Sequence, residues 1–452
     1  MTANPWVGIA LVLALLGTLM AVVHLYQQRC APASEKARKL FHLGAGLAAL
    51  TFPWLFHAVW PVLLLAGLTL PAMVALKRVR ALRHGLGRVL FGVERESLGE
   101  LCFPVGVCLL FVLSFGHPLL YVIPVLILTF ADTMAALIGV EYGRMRYTVT
   151  EGHKSVEGSV TFFLAAFLSV QVPLLLFSNT GRPQTLLIAA TIGLLVMMAE
   201  AVAWRGLDNL FIPLATYFLL TTLLAADIAG LLLHLTVAAG LTAVALGWRE
   251  RTTLNDGAVM GAALGGYAIW TVGGWLWLLM PFLLFASYRP LTHATESDRS
   301  RAHDVRVVVS VAAAGLLWLT LARWLGRPAL FYPFTIAFAA QLAMIGIVRH
   351  ATATPAEPLV ALLRRNVAAS WFVLVSVYAL TDGLRPVFAV HAFTGLLGVC
   401  LAAVAFYRTQ PGLRGGPVAP VLWGREAACA GVGSAVGLLP LALSMTAKIA
   451  GV

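Results

Sequence analysis

The sequence predicts an all-α, polytopic integral membrane protein with about 14–16 transmembrane helices. Three observations predict it. Of 452 residues, 60% are hydrophobic and only 11% are charged, where soluble chains carry about 25% charged residues. The mean hydropathy is +0.89. Apolar runs close to the roughly 20 residues of a bilayer span follow one another along the chain. This composition excludes soluble enzymes, disordered chains and nucleic-acid binders, although the net charge is +12. Cys30, Cys102, Cys108, Cys400 and Cys429 are scattered with no CxxC pair, so neither a disulfide framework nor a zinc site is expected.

The first run, 6–25, has no basic residue before it and no small-residue cleavage site after it. It reads as a retained helix. Further runs lie at 44–57, 59–76, 101–116, 118–138, 159–178, 184–203 and 209–225. The remainder lie at 227–247, 257–271, 273–288, 307–325, 328–348, 367–381, 387–407 and 426–446. Polar loops fall at 26–43, 77–100, 139–158, 204–208, 248–256, 289–306, 349–366 and 408–425. Two spans separate each loop from the next, so all eight share one side. Of the basic residues, only Arg182, Arg323, Arg327, Arg385 and Lys448 fall opposite. The positive-inside rule makes the eight loops cytoplasmic and the N-terminus external. The opposite loops are tight turns, so the chemistry belongs to the cytoplasmic side.

Carboxylates at the edges of apolar runs are costly and mark function. Asp132 lies deepest, at the end of a ten-residue stretch from Ile123. Glu200 ends one run, Glu100 opens another, and Asp208 with Asn209 begins a third. Four carboxylates at the ends of different spans suit one Mg²⁺, which takes one or two carboxylates plus substrate phosphates. Asp132, Ala136, Gly139 and Gly143 step four, three and four residues along one helical face. That face is a carboxylate followed by a smooth strip. The loop after it holds Lys154, Ser155, Glu157 and Gly158, with Ser155 as an N-cap and Glu157 in the first turn. A helix N-terminus with a lysine and flanking glycines is a phosphate cradle. It is not a Walker A loop, because the GxxxxGK[ST] pattern is absent. Arg38, Lys39 and His42 cluster on one turn of a helix start, where they can bind phosphates or lipid headgroups.

Together these segments resemble the polyprenol kinase family, which includes phytol kinase, dolichol kinase and CTP-dependent diacylglycerol kinase, and is related to phosphatidate cytidylyltransferases. The matching stretches are Glu35 to Gly46, an ExxRKxxH pattern, and Ser97-Leu98-Gly99-Glu100 with Pro104. Asp132 to Gly143 and Lys154 to Gly158 follow, then Glu200 with Arg205 to Leu210 and Pro213. The resemblance covers about residues 30–225. It implies a lipid-alcohol kinase with CTP as phosphoryl donor. In these residues, Asp132 would hold Mg²⁺ on the nucleotide. Lys154 would neutralise the transferring phosphoryl group. Gly139 and Gly143 would let the nucleotide approach, and Arg38 and Lys39 would contact its phosphates. Ser155 and Gly158 would belong to the same nucleotide-binding loop. Asp208, Asn209 and Glu200 would complete the metal or base network. Asp132, Glu157 and Asp208 all stand open as the base.

The chain divides in this reading into a kinase-like membrane domain, 1–225, and a second helical membrane domain, 226–452, read as scaffold or lipid cavity. The segment Asn255-Asp256-Gly257-Ala258 with Gly261, Gly265 and Gly266 faintly resembles the phytyl-phosphate kinase family. No intramembrane acidic motif comparable to Asp132 follows in the second half, which is then a scaffold extending the lipid cavity or has a site using Asp256 with the arginines; no internal repeat relates the halves. Two other readings fit the class: CDP-lipid synthesis by a cytidylyltransferase, and a cation-coupled transporter. The expected partners are a lipid alcohol, a nucleotide and membrane lipids, with no nucleic acid. Arg- and Ala-rich composition suggests a bacterium, hence its inner membrane.

Overall fold

A chain crossing hydrocarbon must satisfy each backbone N–H and C=O internally, so its apolar runs become helices. The computed structural model describes residues 4–30, 34–79, 87, 89, 98–291, 303–354, 357–383, 385–410, 413 and 423–442. Ser97, most of the loop 289–306 and the tail of the run 426–446 lie outside the described residues. Ten described helices are long and apolar enough to cross a membrane. Three more, Gly99–Leu113, Asp208–Leu224 and Trp275–Ser287, are apolar but shorter.

The chain forms two compact units, Met1–Gly240 and Leu241–Val452. The first contains α1 (Pro5–Cys30), α2 (Ser34–Leu50), α3 (Phe52–Leu55), α4 (Trp60–Arg78), α5 (Gly99–Leu113) and α6 (Pro118–Leu126). A π turn, Ile127–Ala131, links α6 to α7 (Asp132–Tyr142). Next come β1 (Arg146–Val149), β2 (Gly152–Ser155), α8 (Val156–Phe177), α9 (Arg182–Val202) and α10 (Asp208–Leu224). The unit boundary falls inside α11 (Ile228–Trp248).

One expectation is met and one corrected here. The helix start expected around Arg38, Lys39 and His42 is α2, which begins at Ser34 within the polar stretch 26–43. The loop 139–158 contains an antiparallel hairpin, with Tyr147 opposite Lys154 and Val149 opposite Gly152. Gly152 takes φ +98°, which only glycine adopts without steric cost, and so closes the turn.

One core of the first unit gathers Ile123, Phe162, Ile188, Ile192 and Ile212 from α6, α8, α9 and α10. A second joins α1, α3, α4, α5 and α6 through Val12, Phe52, Leu65, Phe111 and Tyr121. The buried Tyr121 hydroxyl donates to the Ala49 carbonyl at 3.0 Å, fixing the end of α2 against α6. Gly106 of α5 admits the start of α10: a Cβ there would lie 2.5 Å from the Asn209 carbonyl oxygen. These contacts bring the N-terminal turns of α5 and α10 beside α2 and α7.

The second unit contains α12 (Asp256–Gly273), α13 (Trp275–Leu291), α14 (Val305–Leu325), α15 (Phe331–Ala353), α16 (Leu359–Thr381), α17 (Pro386–Thr409) and α18 (Trp423–Ser434). Its core centres on α15, with Phe334, Ile336, Leu342 and Ile347 almost fully buried. Small residues let helices close on one another. A Cβ on Gly398 would meet the Gly433 carbonyl oxygen at 2.6 Å. Asp382, at the end of α16, accepts from the Tyr332 hydroxyl at 2.7 Å and contacts His391 Nδ1 at 2.9 Å. This half also buries a lone carboxylate. Glu426 of α18 is 1% exposed, and its Oε2 has no hydrogen-bond partner. It lines a cavity of about 230 Å³ otherwise walled mainly by apolar side chains.

Candidate active site

Asp132 owes its position to two local features. Pro124 lacks an N–H and weakens the helix one turn ahead of the π turn Ile127–Ala131. The π turn adds a residue to the spiral, as often happens at functional sites. Asp132 is then turned onto α2, where Lys39 and His42 share a face at i and i+3. Lys39 Nζ donates to both Asp132 oxygens, at 2.6 and 2.7 Å. Both side chains are 7% exposed. His42 Nε2 donates to the Leu128 carbonyl at 3.0 Å and lies 3.4 Å from Asp132 Oδ2. Lys39, expected on nucleotide phosphates, is the buried counter-ion of Asp132 and lines the same cavity.

The hairpin supplies the opposite wall. Its register carries Lys154 to α9, where Nζ donates to Glu200 Oε1 at 2.8 Å and to the Glu200 carbonyl. Burial alone would lower the Lys154 pKa. Glu200 outweighs burial and holds the ammonium above the ordinary lysine value. Ser155 is the N-cap of α8, accepting from the Gly158 N–H at 3.1 Å as expected. Tyr147 and Ser159 share a 2.7 Å hydroxyl hydrogen bond that locks the hairpin to α8.

Asp132, Glu200 and Asp208 each offer an oxygen within 4.8 Å of the others. Glu100 does not join them. Glu157 also stands aside: its Oε1 accepts from the Met145 N–H at the hairpin base, at 3.2 Å. The glycine strip serves packing. A Cβ on Gly143 would strike Ser155 Cβ at 2.7 Å, and one on Gly139 would meet Ser155 Oγ at 3.1 Å. Gly139 still lines the cavity, but Gly143 does not. Gly143→Ala is expected to cost about 1–3 kcal/mol, as overpacking does. A lowered thermal midpoint in detergent, with protease cleavage near the hairpin, would register it; an unchanged midpoint would refute the packing role.

These groups surround a cavity of about 320 Å³, within the usual range for a small-molecule site. Arg38, Lys39, Asp132, Lys154, Glu200 and Asp208 all line it. Ser155, Gly158 and Asn209 complete the predicted set on its wall. His42 and Glu100 line a neighbouring apolar pocket instead, to which Arg38 and Asn209 also belong.

Sequence reasoning missed the joint that braces the cavity. Arg205 takes the left-handed φ of +55° and Gly206 of +80°. A non-glycine residue there is strained, and such strain concentrates at functional sites. The Arg205 N–H donates to Glu151 Oε1 at 2.7 Å, and its carbonyl accepts from the Leu98 N–H at 2.7 Å. Hairpin, α9–α10 loop and α5 start are thereby tied together. The Arg-Gly pair was the available signal.

Fold and site define a helical membrane protein with a charged, carboxylate-rich cavity beside an apolar one. Comparison with curated proteins gives the family. The chain is 31% identical over 213 residues to the phytol kinase of Synechocystis sp. (strain ATCC 27184 / PCC 6803 / Kazusa), across 47% of this chain and 89% of that protein. The chain belongs to this polyprenol/phytol kinase-like family. No family model matches it, and no solved structure matches it.

Proposed function

We propose that this protein is a prenyl-alcohol kinase that moves the γ-phosphoryl group of CTP to the hydroxyl of a membrane-embedded isoprenoid alcohol. One observation carries the reading: Asp132, Glu200 and Asp208 meet within 4.8 Å, flanked by Lys39 and Lys154, in one cavity. Kinship with a phytol kinase supports it. Phosphoryl transfer asks for positioning and charge neutralisation rather than covalent chemistry.

The donor set fits Mg²⁺. All three groups are hard oxygen ligands, and Glu200 Oε2 is buried without a hydrogen-bond partner. When bound, the ion neutralises charge on the nucleotide phosphates. Lys39 and Lys154 keep the three carboxylates from repelling one another and present ammonium groups to the triphosphate. Arg38 adds a guanidinium from the same wall. The start of α8, capped by Ser155, adds the positive end of a helix dipole to the same wall. The alcohol oxygen bonds to the γ-phosphorus as the bridge to the β-phosphate breaks. CDP leaves with that electron pair, and the hydroxyl proton passes to a carboxylate. The basic loops support a site on the cytoplasmic face of a cell membrane, reached by CTP from water and by the alcohol from lipid.

The test uses purified protein in detergent with Mg²⁺, γ-labelled CTP and a panel of prenols and diacylglycerol. Label in a lipid monophosphate, with CDP released, is the expected result. Label in pyrophosphate, with CMP joined to lipid, would replace the reading by CDP-lipid synthesis. Transfer from ATP but not CTP would keep the kinase and change the donor.

A further inference from the structure

The second, apolar pocket has no part in the chemistry above. It runs along α2 on one face: Arg38, then His42, Ala45 and Ala49, with Phe52 of α3 beyond. These positions recur at helical spacing, so the wall grades from charged to apolar over one stripe. From Arg38 to Ala49 the stripe is roughly 16 Å long at 1.5 Å per residue. The facing wall, on α5, repeats the gradient from Glu100 through Pro104 to Cys108. Val62 of α4 closes the far end.

The polar mouth carries unsatisfied groups. Glu100 Oε2 and Asn209 Oδ1 are both buried with no hydrogen-bond partner. Asn209 is 5% exposed, and its Nδ2 is already given to the Gly99 carbonyl at 3.1 Å. Buried acceptors left unpaired cost free energy. An arriving hydroxyl can donate one hydrogen bond and satisfy one of the two. Arg38 and Asn209 line both cavities, and Asp208 of the carboxylate trio adjoins Asn209 in sequence.

We infer that this pocket holds the isoprenoid chain of the acceptor alcohol, and that Glu100 receives the hydroxyl at its mouth and takes its proton. The inference rests on the kinase reading. The O–H proton moves to Glu100 Oε2 while the alcohol oxygen bonds to the γ-phosphorus and CDP departs. Glu100 is thereby a catalytic residue and not a metal ligand. The stripe's length suits an extended main chain on the order of a dozen carbons at about 1.5 Å per bond. Small side chains at Ala45 and Ala49 keep it open.

The test combines turnover with labelling. Geraniol, farnesol and geranylgeraniol form a graded series of acceptors. Ala45→Phe is expected to raise KM for geranylgeraniol at least about tenfold and to spare geraniol, since pocket volume discriminates on this scale. Val62→Ala, which deepens the pocket, is expected to favour longer alcohols, and covers the case in which Ala45→Phe fails to fold. Glu100→Gln is expected to lower kcat and leave KM for CTP unchanged. In parallel, a geranylgeraniol analogue with a diazirine at its hydrocarbon end is crosslinked to the wild-type protein, and the adduct is mapped by mass spectrometry. Adducts at Phe52, Val62 or Cys108 support the pocket even if no alcohol is phosphorylated, in which event the kinase reading alone falls. Turnover with adducts only elsewhere, or unaltered chain preference in both pocket variants, overturns the inference. Full kcat in Glu100→Gln overturns the proton acceptor.

Discussion

Asp132→Asn is expected to lower kcat/KM for prenyl-alcohol phosphorylation at least about a thousandfold, roughly 4 kcal/mol of transition-state stabilisation. The amide keeps the shape but loses the charge that binds a cation. It also leaves Lys39, 6% exposed, facing a neutral group. Breaking a buried ion pair costs about 3–5 kcal/mol, so the thermal midpoint should fall as well. The two effects separate in a second variant. Adding Lys39→Met to Asp132→Asn removes the unpaired charge and should restore much of the stability without restoring activity. Label transfer and thermal unfolding in the same detergent read both. Full activity in Asp132→Asn would end the proposed role of this carboxylate.

Lys154→Met should lower kcat by about a hundred- to a thousandfold, the usual effect of losing one preorganised group at the developing charge. It also strips Glu200 of its cation, 4.8 Å or less from Asp132 and Asp208. Glu200 must then take up a proton or repel its neighbours. The pH dependence follows from the raised Lys154 pKa. A group whose pKa is higher folded than unfolded stabilises fully below the unfolded value, here 10.5. That contribution fades only as pH rises through the higher folded value. The Lys154 contribution to wild-type stability should therefore be fully present from about pH 6 to 9. Loss of the Lys154 Nζ proton within this window, read by NMR of the side-chain nitrogen, would refute it.

The helices were legible because a bilayer imposes length and hydropathy on each span, and both are written locally. Starts and ends agree closely where a run is flanked by charge, as at Arg182–Val202 and Pro386–Thr409. The acidic residues of the site were legible for the same reason: Asp132 and Glu200 stand out against apolar neighbours. Their partners were not. Lys39 pairs with Asp132 across 93 positions, and Lys154 with Glu200 across 46. Nothing in a single sequence records such distances. The hairpin escaped notice because each strand has four residues and no clear alternation of apolar and polar side chains. Glu426 was overlooked because it follows Arg425 at a run's edge, where a carboxylate ordinarily reaches water. Only tertiary packing hides it.

The π turn at Ile127–Ala131 makes the site sensitive to counting as well as to chemistry. An α-helix rotates about 100° per residue. Were all of these residues kept and wound as an ordinary α-helix, the extra one would no longer be absorbed. Everything after it would swing by roughly that angle, taking Asp132 off Lys39 and toward another neighbour. Such a change of winding would alter no functional group and leave the apolar character of the span intact. Residues 127–131 thus behave as a phase marker: a local winding whose loss would disarm the carboxylate while every ingredient remained.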